Sequence, residues 1–318
     1  MELFESIADV PPDFGEVALT IGKFDGVHGG HRAVLARLRE VAAERGLRSV
    51  VVTFDRNPMS LLNPTACPQP LLSKEQKLER LATTAVDATL VLTFDRALSE
   101  VTPENFVSTV LAGVLDTKVV LVGADFRFGA HGAGNVALLR SLGEQHGFEV
   151  VVIDDISLEE GRRVSSTFVR ELLAEGNVAE AGQLLTALHS VRGVVVLGQQ
   201  RGRELGYPTA NLQRDPEGFI PADGVYAAWL VIDGIRFASA VSIGNNPTFD
   251  GVPEKQVEAH ALDQDFDIYG KRVEIEFVEY VRGMVKYTTV EALIEQMCLD
   301  EIAVREILGV PAKETPKK

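Results

Sequence analysis

The chain has little cysteine, a shortage of positive charge and no long apolar run. Its 318 residues include two cysteines, Cys67 and Cys298, too few for a disulfide framework and wrongly spaced for zinc. The formal net charge of −15 argues against a nucleic-acid partner. No apolar run is long enough to span a membrane, and the acidic first residues are unlike a signal peptide. We therefore expect a cytoplasmic protein that is not associated with a membrane.

Two common phosphate-binding signatures are also missing. The pair Gly22-Lys23 lacks the Ser or Thr that would complete a P-loop, and the Asp-Phe-Gly triplet of protein kinases does not occur. Any kinase activity must therefore be of another type. Because the net charge is negative, an anionic substrate would have to be bound by local arginines, backbone amides and Mg²⁺.

The pattern of apolar residues divides the chain into two parts. Up to about residue 186, strand-like runs at 18–22, 49–54, 88–93, 118–122 and 149–154 alternate with helical segments. This alternation predicts an α/β domain with a parallel sheet over residues 1–186. From residue 187 to 318, short β-rich runs, the hairpin signal Asp233-Gly234 and a late helix at 290–308 predict a small antiparallel barrel.

The strongest functional signal is a pair of histidines after the first buried strand. A Gly-rich turn joins this strand to a predicted helix, and His28 and His31 lie at the junction. Free amides and the positive end of the helix dipole favour a bound phosphate there, and imidazoles can stabilise charge on a phosphate under attack. On the pair alone, a histidine pair without function is the commoner outcome, but the end of a strand in an α/β sheet is where ligands bind.

Two other segments of the first half are candidates for binding. In an extended segment, Phe126 and Phe128 would share one face and could flank a planar ring, although core packing explains them equally well. Hydroxyl and guanidinium groups also cluster at a predicted helix start: Ser165, Ser166, Thr167 and Arg170. Such a set suits a phosphate, although a plain Ser N-cap is the commoner outcome.

The second half offers a metal pair and a base. Thr209 and Asn211 would point to one side of an extended segment, and their hydroxyl and amide oxygens can ligate Mg²⁺. Glu258 and His260 alternate with apolar residues, and Glu258 could act as a general base on an alcohol. A structural turn and a solvated strand face are the competing interpretations.

Together these segments closely resemble the bacterial bifunctional riboflavin kinase/FAD synthetases, whose second activity is that of an FMN adenylyltransferase. The resemblance runs from about residue 17 to residue 308. It rests on seven motifs in the same order: Gly-Lys-Phe-Asp-Gly-Val-His-Gly-Gly-His at 22–31, Gly-Ala-Asp-Phe-Arg-Phe-Gly at 123–129, Ser-Ser-Thr-Phe-Val-Arg at 165–170, Gly-Tyr-Pro-Thr-Ala-Asn at 206–211, Pro-Ala-Asp-Gly-Val-Tyr at 221–226, Gly-Asn-Asn-Pro-Thr-Phe at 244–249 and Asp-Ile-Tyr-Gly at 267–270.

The resemblance implies a Rossmann-like nucleotidylyltransferase domain that converts FMN to FAD. A small antiparallel β-barrel domain with a C-terminal helix would convert riboflavin to FMN, and both reactions would use ATP and Mg²⁺. In the first domain, the expected ATP and phosphate contacts are Gly22, Phe24, Asp25, His28, His31, Ser165, Ser166, Thr167 and Arg170, with both histidines catalytic. The expected flavin contacts there are Asp125, Phe126, Arg127 and Phe128.

The resemblance also assigns roles in the kinase domain. Thr209 and Asn211 would hold Mg²⁺, and Glu258 would take the proton from the ribityl 5′-hydroxyl. The expected nucleotide and flavin contacts are Gly202, Arg203, Gly206, Pro208, Thr209, Asn211 and Arg282. The implied partners are small molecules, namely ATP, riboflavin and FMN, and the chain is also compatible with a homo-oligomer.

One departure from the family pattern leaves alternatives open. After the second strand the family usually has Pro-His-Pro where this chain has Arg56-Asn57-Pro58. Asn57 could weaken a phosphate contact, or Arg56 could supply the missing charge. One alternative is therefore a riboflavin kinase whose first domain adenylylates weakly or only binds nucleotide. Another is a flavin- or ATP-sensing module without turnover, against which the intact Glu258 and Thr209/Asn211 pair argue.

Overall fold

The computed structural model describes residues 1–153, 163–198, 206–244 and 255–311. Contacts between residues divide the chain into two compact units, Met1–Ser165 and Ser166–Lys318. The division falls earlier than residue 186 because two helices, Ser166–Glu175 and Val178–Leu185, group with the second unit. The boundary between residues 186 and 187 therefore stays a prediction.

The first unit is a six-stranded parallel sheet with helices in its connections, as the sequence predicts. The strands are β1 Glu2–Phe4, β2 Val17–Ile21, β3 Arg48–Phe54, β4 Ala88–Leu92, β5 Thr117–Gly123 and β6 Glu149–Ile153. The helices are α1 Gly29–Arg45, α2 Met59–Leu62, α3 Lys74–Ala82, α4 Arg96–Ser99, α5 Pro103–Phe106 and α6 Val136–His146, and a π-helical stretch, Val107–Val114, continues α5.

Local sequence signals explain where these helices begin and end. Ser73 caps α3 in a capping box with Gln76, and Thr102 caps α5 with a proline at the first position. Gly46 ends α1 in the left-handed conformation. Helix α1 begins earlier than the periodicity indicates, because His28 serves as its N-cap. The backbone N–H of His31 donates to His28 Nδ1 at 3.4 Å.

The second unit is a closed antiparallel barrel, which confirms the predicted fold class. Its helices are α7 Ser166–Glu175, α8 Val178–Leu185 and α9 Val290–Leu308. Its strands are β7 His189–Val196, β8 Ala210–Leu212, β9 Gly224–Ile232, β10 Ile235–Gly244, β11 Gln256–Ala261 and β12 Arg272–Arg282, arranged in the order β10-β11-β8-β7-β12-β9. At the predicted hairpin between β9 and β10, Asp233 and Gly234 both have positive φ, 51° and 80°.

Helix α9 covers one outer face of the barrel. Along β11, Val257 and Ala259 are buried, and Glu258 and His260 alternate with them on the opposite face. An apolar cluster that contains Ala227 of β9 and Val304 of α9 joins the helix to the barrel wall. The outward side chains of β9, β10 and β12 beside this cluster therefore lie under the helix. Among the described residues, none of the helices has the length and apolarity needed to cross a bilayer.

We expect a fragment of residues 166–318 to be more stable than one of residues 187–318. The shorter fragment lacks α8, which packs on β7 and β12 and buries Leu184 and Leu185. Exposing the area covered by two buried leucines should lower the Tm by about 5 to 15 °C. Thermal unfolding followed by circular dichroism measures both midpoints. Equal midpoints would show that the two helices do not stabilise the barrel.

Candidate active sites

The order of strands in the parallel sheet changes direction at β2. Strands β3 and β4 lie on one side of β2, and β5 and β6 lie on the other. Ligands bind at such a switch point, beyond the carboxyl ends of the strands. The turn at residues 22–28 follows β2, and the segment at 123–129 follows β5. The fold therefore brings two motifs that are distant in sequence to one edge of the sheet.

A cavity of about 450 Å³ opens at this edge, a volume typical of small-molecule sites. Five of the predicted residues line it: Gly22, Asp125, Phe126, Arg127 and Phe128. The remaining wall includes three aromatic residues, Phe54, Phe94 and Phe106. Phe24, Asp25, His28 and His31 are not among its lining residues.

The two predicted aromatic residues do not form a slot for a planar ring. The rings of Phe126 and Phe128 stack on each other with centroids 5.6 Å apart and an angle of 13°. A ring inserted between them would need roughly twice the usual separation of stacked rings. In this arrangement only the outer faces of the pair are open to a ligand, and the expectation that they flank a ring stays a prediction.

The two histidines form a stacked pair of neutral imidazoles. Their ring centroids are 3.7 Å apart, and Phe24 packs against the ring of His31. Burial, helped by the positive charge of Arg163, lowers the pKa of His28 to about 4. Burial, the adjacent His28 and Arg163 hold the pKa of His31 well below its usual value. Both rings therefore act at neutral pH as hydrogen-bonding groups rather than as cations.

The turn before the histidines stores backbone strain. Phe24 and Val27 have positive φ, 49° and 45°, a conformation that costs a β-branched residue about 1–3 kcal/mol. The carboxylate of Asp25 accepts a hydrogen bond from the backbone N–H of Leu71 at 2.9 Å. Phe24 is buried, and a Cβ atom built on Gly22 would lie 3.1 Å from its ring. Phe24 and Asp25 therefore shape the turn, and their contact with ATP stays a prediction.

A buried lysine that the sequence analysis did not select lies behind this turn. Lys77 of α3 donates to the carbonyl oxygen of Phe54 at 2.6 Å and to the hydroxyl of Thr53 at 3.4 Å. Burial lowers the pKa of Lys77 to about 8, although Asp25 and Asp55 oppose that shift. The burial of Lys77 could have been predicted from the sequence, because Lys77 lies one turn before Leu81 on the buried face of α3.

The segment that contains Ser165 begins beside the histidine turn. A Cβ atom built on Gly30 would lie 3.5 Å from the carbonyl oxygen of Val164. Helix α7 begins at Ser166, as predicted, with Arg170 about one turn later. Contacts assign Ser166, Thr167 and Arg170 to the second unit, so their part in a phosphate site stays a prediction.

Arg56 and Asn57, which depart from the family pattern, both make local hydrogen bonds. Two guanidinium nitrogens of Arg56 donate to one carboxylate oxygen of Asp55, at 3.1 and 3.2 Å. The side-chain oxygen of Asn57 accepts from the backbone N–H of Met59 at 3.1 Å. Arg56 is therefore already paired, and Asn57 stabilises the start of α2.

Strand pairing in the barrel aligns the candidate kinase residues in one row. In register, Asn211 pairs with Glu258, Glu258 with Ser242, Ser242 with Val225, and Val225 with Arg282. Paired residues point to the same face of a sheet, with Cβ atoms about 5 Å apart on adjacent strands. Asn211 and Glu258 are therefore direct neighbours on the outer face of the barrel.

Two clefts meet at Thr209. The larger, of about 320 Å³, lies between the barrel and α9 and is lined by Thr209, Glu258, His260 and Arg282. The smaller, of about 50 Å³, is lined by Pro208, Thr209 and Asn211, and by Gly198. Thr209 thus lines both clefts. Gly202 and Arg203 lie outside the described residues.

Burial and hydrogen bonds set the chemistry of the larger cleft. Burial raises the pKa of Glu258, which makes its carboxylate a stronger base. His260 Nδ1 donates to the carbonyl oxygen of Pro208 at 2.8 Å and so holds the segment that carries Thr209. Arg282 forms two hydrogen bonds with the carboxylate of Asp300 in α9, at 2.6 and 2.7 Å.

The side chains of the two predicted metal ligands lie close together, and their role in holding Mg²⁺ stays a prediction. Asn211 Nδ2 lies 3.3 Å from the hydroxyl of Thr209. Gly198 packs so closely that a Cβ atom built on it would lie 2.6 Å from the amide carbon of Asn211. No group of three or more His, Cys, Asp or Glu residues is arranged to hold a metal ion in the described parts of the chain.

Comparison with known proteins identifies the family. A family model for FAD synthetase matches residues 11–168, and one for riboflavin kinase matches residues 185–308. The chain is 37% identical over 295 residues to a bifunctional riboflavin kinase/FMN adenylyltransferase of Escherichia coli strain K12, covering 92% of this chain and 93% of that protein. The chain belongs to the bifunctional riboflavin kinase/FMN adenylyltransferase family.

Two further relatives agree in length. A bifunctional riboflavin kinase/FMN adenylyltransferase of Pseudomonas fluorescens is 36% identical and aligns over 98% of this chain and 99% of its own length. A crystal structure from Streptococcus pneumoniae, described as a macrolide-efflux protein, has a TM-score of 0.84 and 31% identity, and it covers 95% of this chain and 98% of its own. Members of this family thus match both units of the chain in order.

We expect the imidazole of His28 to stay unprotonated from pH 8 down to about pH 5. Because its pKa is lowered to about 4, NMR titration of its ring signals should show no midpoint near 6.5. Replacing Arg163 with Gln removes a nearby positive charge and should raise this pKa. Arg127→Gln is the matched control and should leave it unchanged. A wild-type midpoint near 6.5 would contradict the neutral pair.

Proposed function

We propose residue roles for two successive ATP-dependent reactions in this chain. The chain phosphorylates riboflavin to FMN and adenylylates FMN to FAD, as its family models and relatives indicate. ATP, riboflavin and FMN are the substrates, and FAD is the final product. One observation supports the proposal most directly, namely that Asn211 and Glu258 are paired neighbours beside a cavity of ligand size.

In the kinase reaction, Glu258 is the general base. Its carboxylate accepts the proton of the ribityl 5′-hydroxyl while that oxygen attacks the γ-phosphorus of ATP. The new oxygen–phosphorus bond gives FMN, the bond to the bridging oxygen breaks, and ADP leaves. A base with a raised pKa suits this step, because proton transfer is most effective when the pKa approaches the working pH.

Thr209 and Asn211 would hold Mg²⁺ between the two clefts. A hydroxyl and an amide are hard oxygen donors, and a half-turn of the Asn211 amide presents its oxygen beside that of Thr209. A bound Mg²⁺ neutralises negative charge on the transferred phosphate group. Such help is needed in a chain whose net charge is −15.

In the adenylyltransferase reaction, a phosphate oxygen of FMN attacks the α-phosphorus of ATP and pyrophosphate leaves. His28 and His31 donate hydrogen bonds to the phosphates at the N-terminus of α1, where backbone amides add further donors. Ser165, Ser166, Thr167 and Arg170 complete the phosphate contacts. Asp125, Phe126, Arg127 and Phe128 form the flavin side of the cavity.

One observation favours a second candidate, a kinase whose first domain adenylylates weakly. The family histidine is replaced by Asn57, an amide without charge, whose oxygen accepts a hydrogen bond from the backbone N–H of Met59. The neighbouring Arg56 donates to Asp55 in this structure, and whether it also supplies charge to a phosphate stays the competing prediction. This candidate would be supported if chromatography showed that riboflavin is converted to FMN but not to FAD.

We expect Glu258→Gln and His31→Ala to separate the two activities. Glu258→Gln should slow riboflavin phosphorylation by about 10²–10⁴-fold and leave FAD formation from FMN unchanged. His31→Ala should slow FAD formation by about 10²–10³-fold and leave the kinase unchanged. Chromatography of flavins after incubation with ATP and Mg²⁺ measures both. Loss of both activities in a folded variant would contradict the division of labour.

We expect Gly198→Ala to weaken the kinase through Asn211. The added methyl group would overlap the amide of Asn211, and a displacement of about 1 Å in a catalytic group can cost about 10²-fold in rate. The concentration of Mg²⁺ for half-maximal rate should rise as well. Gly193→Ala on β7, where a Cβ atom meets only ordinary contacts at 3.4 Å, is the control. An unchanged Mg²⁺ requirement in Gly198→Ala would contradict the metal role of Asn211.

A further inference from the structure

Thr209, a predicted ligand of Mg²⁺, lies just outside the hydrogen-bonded ladder of the barrel. Strand β8 begins one residue later, at Ala210, and its pairing with β11 stops there. If the register continued by one residue, Thr209 would face His260 of β11. Pro208, which precedes Thr209, has no backbone N–H and cannot donate to a neighbouring strand. The ladder of the sheet therefore does not hold Thr209 in place.

The imidazole of His260 supplies a hydrogen bond where the ladder stops. Its Nδ1 atom donates to the carbonyl oxygen of Pro208 at 2.8 Å. Because a carbonyl oxygen can only accept, this nitrogen must carry the proton. The neighbour of His260 on β10 is Ala240, whose methyl group forms no hydrogen bond. The side chain of His260 thus replaces a backbone contact immediately before Thr209.

Two further contacts hold the same short segment at its two ends. The ring of Tyr207 packs edge-on against that of His260, with centroids 5.2 Å apart and an angle of 61°, and the Tyr207 hydroxyl lies 3.0 Å from the Sγ atom of Cys298 in α9. At the other end, Asn211 Nδ2 lies 3.4 Å from the carbonyl oxygen of Thr209 and 3.3 Å from its hydroxyl oxygen. The carbonyl group that His260 binds lies between these two contacts.

Strand β11 carries both the proposed base and this histidine. Glu258 and His260 are two residues apart, so their side chains share the outward face of the strand. Burial of Val257 and Ala259 inside the barrel fixes the direction of both. One strand therefore positions the base directly and contacts the segment that carries the proposed metal ligand.

We propose that His260 is a positioning residue of the kinase, which holds Thr209 where its hydroxyl ligates Mg²⁺ through the hydrogen bond to the Pro208 carbonyl. The inference rests on the proposed function of Thr209. Loss of an outer contact that orients a metal ligand typically costs about 10- to 100-fold in metal affinity. The hydrogen bond lies outside the ligands of the metal, so its loss weakens metal binding without removing an oxygen donor.

The variants His260→Phe and His260→Asn test the proposal. Phenylalanine keeps a ring against Tyr207 but has no donor, whereas the amide of asparagine places a donor near the position of Nδ1. His260→Phe should raise the Mg²⁺ concentration for half-maximal kinase rate about 10-fold, and His260→Leu, which also lacks a donor, should do the same. His260→Asn should restore most of this loss. FAD formation from FMN is the internal control and should be unchanged in all three variants.

A binding measurement gives a readout that does not depend on turnover. In ¹⁵N-labelled protein with ADP, the side-chain amide signals of Asn211 should shift as Mg²⁺ is added. The midpoint of this NMR titration should be about 10-fold higher in His260→Phe than in the wild type. In a Thr209→Val background, His260→Phe should change the midpoint by about 2-fold or less, because the contact acts through Thr209.

Four other outcomes would overturn the proposal. An unchanged Mg²⁺ midpoint in His260→Phe shows that the hydrogen bond does not position Thr209. Equal losses in His260→Phe and His260→Asn assign the effect to the shape of the side chain rather than to its donor. A full further loss in the Thr209→Val background shows that His260 acts elsewhere. A higher KM for riboflavin with an unchanged Mg²⁺ midpoint assigns it to substrate binding. If the wild-type protein does not phosphorylate riboflavin, the proposed function itself is wrong.

Discussion

The register of the barrel strands is the constraint on which the kinase cleft depends. Side chains alternate between the faces of a strand, so a slip of one residue in β11 would turn Glu258 into the barrel interior and Val257 toward α9. Burial of Val257 and Ala259 inside the barrel opposes that slip. The same packing that closes the barrel therefore aims the proposed base at its cleft and keeps it beside Asn211.

In the first unit, the corresponding constraint is a strained turn that is held from several sides. Positive φ at Phe24 and Val27 is unfavourable in isolation, and it persists because the surrounding structure favours it. Phe24 is buried, Asp25 accepts a hydrogen bond from Leu71, and Lys77 binds the carbonyl at the end of β3. Core packing thus stabilises a turn that carries the two histidines to the edge of the sheet.

Helix caps and the hairpin turn could be predicted from neighbouring residues in the sequence. Features that depend on contacts between distant residues could not. The caps at Ser73 and Thr102 and the hairpin at Asp233-Gly234 follow from residues within one turn of each other. Strand β8 is only three residues long and has no period to detect. The pairing of Arg282 with Asp300 arises only when α9 packs on the barrel, so no spacing in the sequence indicates it.

Burial shifts the pKa values of the ionisable groups in the two candidate sites in opposite directions. Removing a group from water disfavours its charged form, which lowers the pKa of the histidines and raises that of Glu258. Neutral imidazoles can hydrogen-bond to a polyphosphate without carrying a permanent charge, and a more basic carboxylate can remove a proton from an alcohol. Each site therefore gains its chemistry from how deeply the fold buries ordinary side chains.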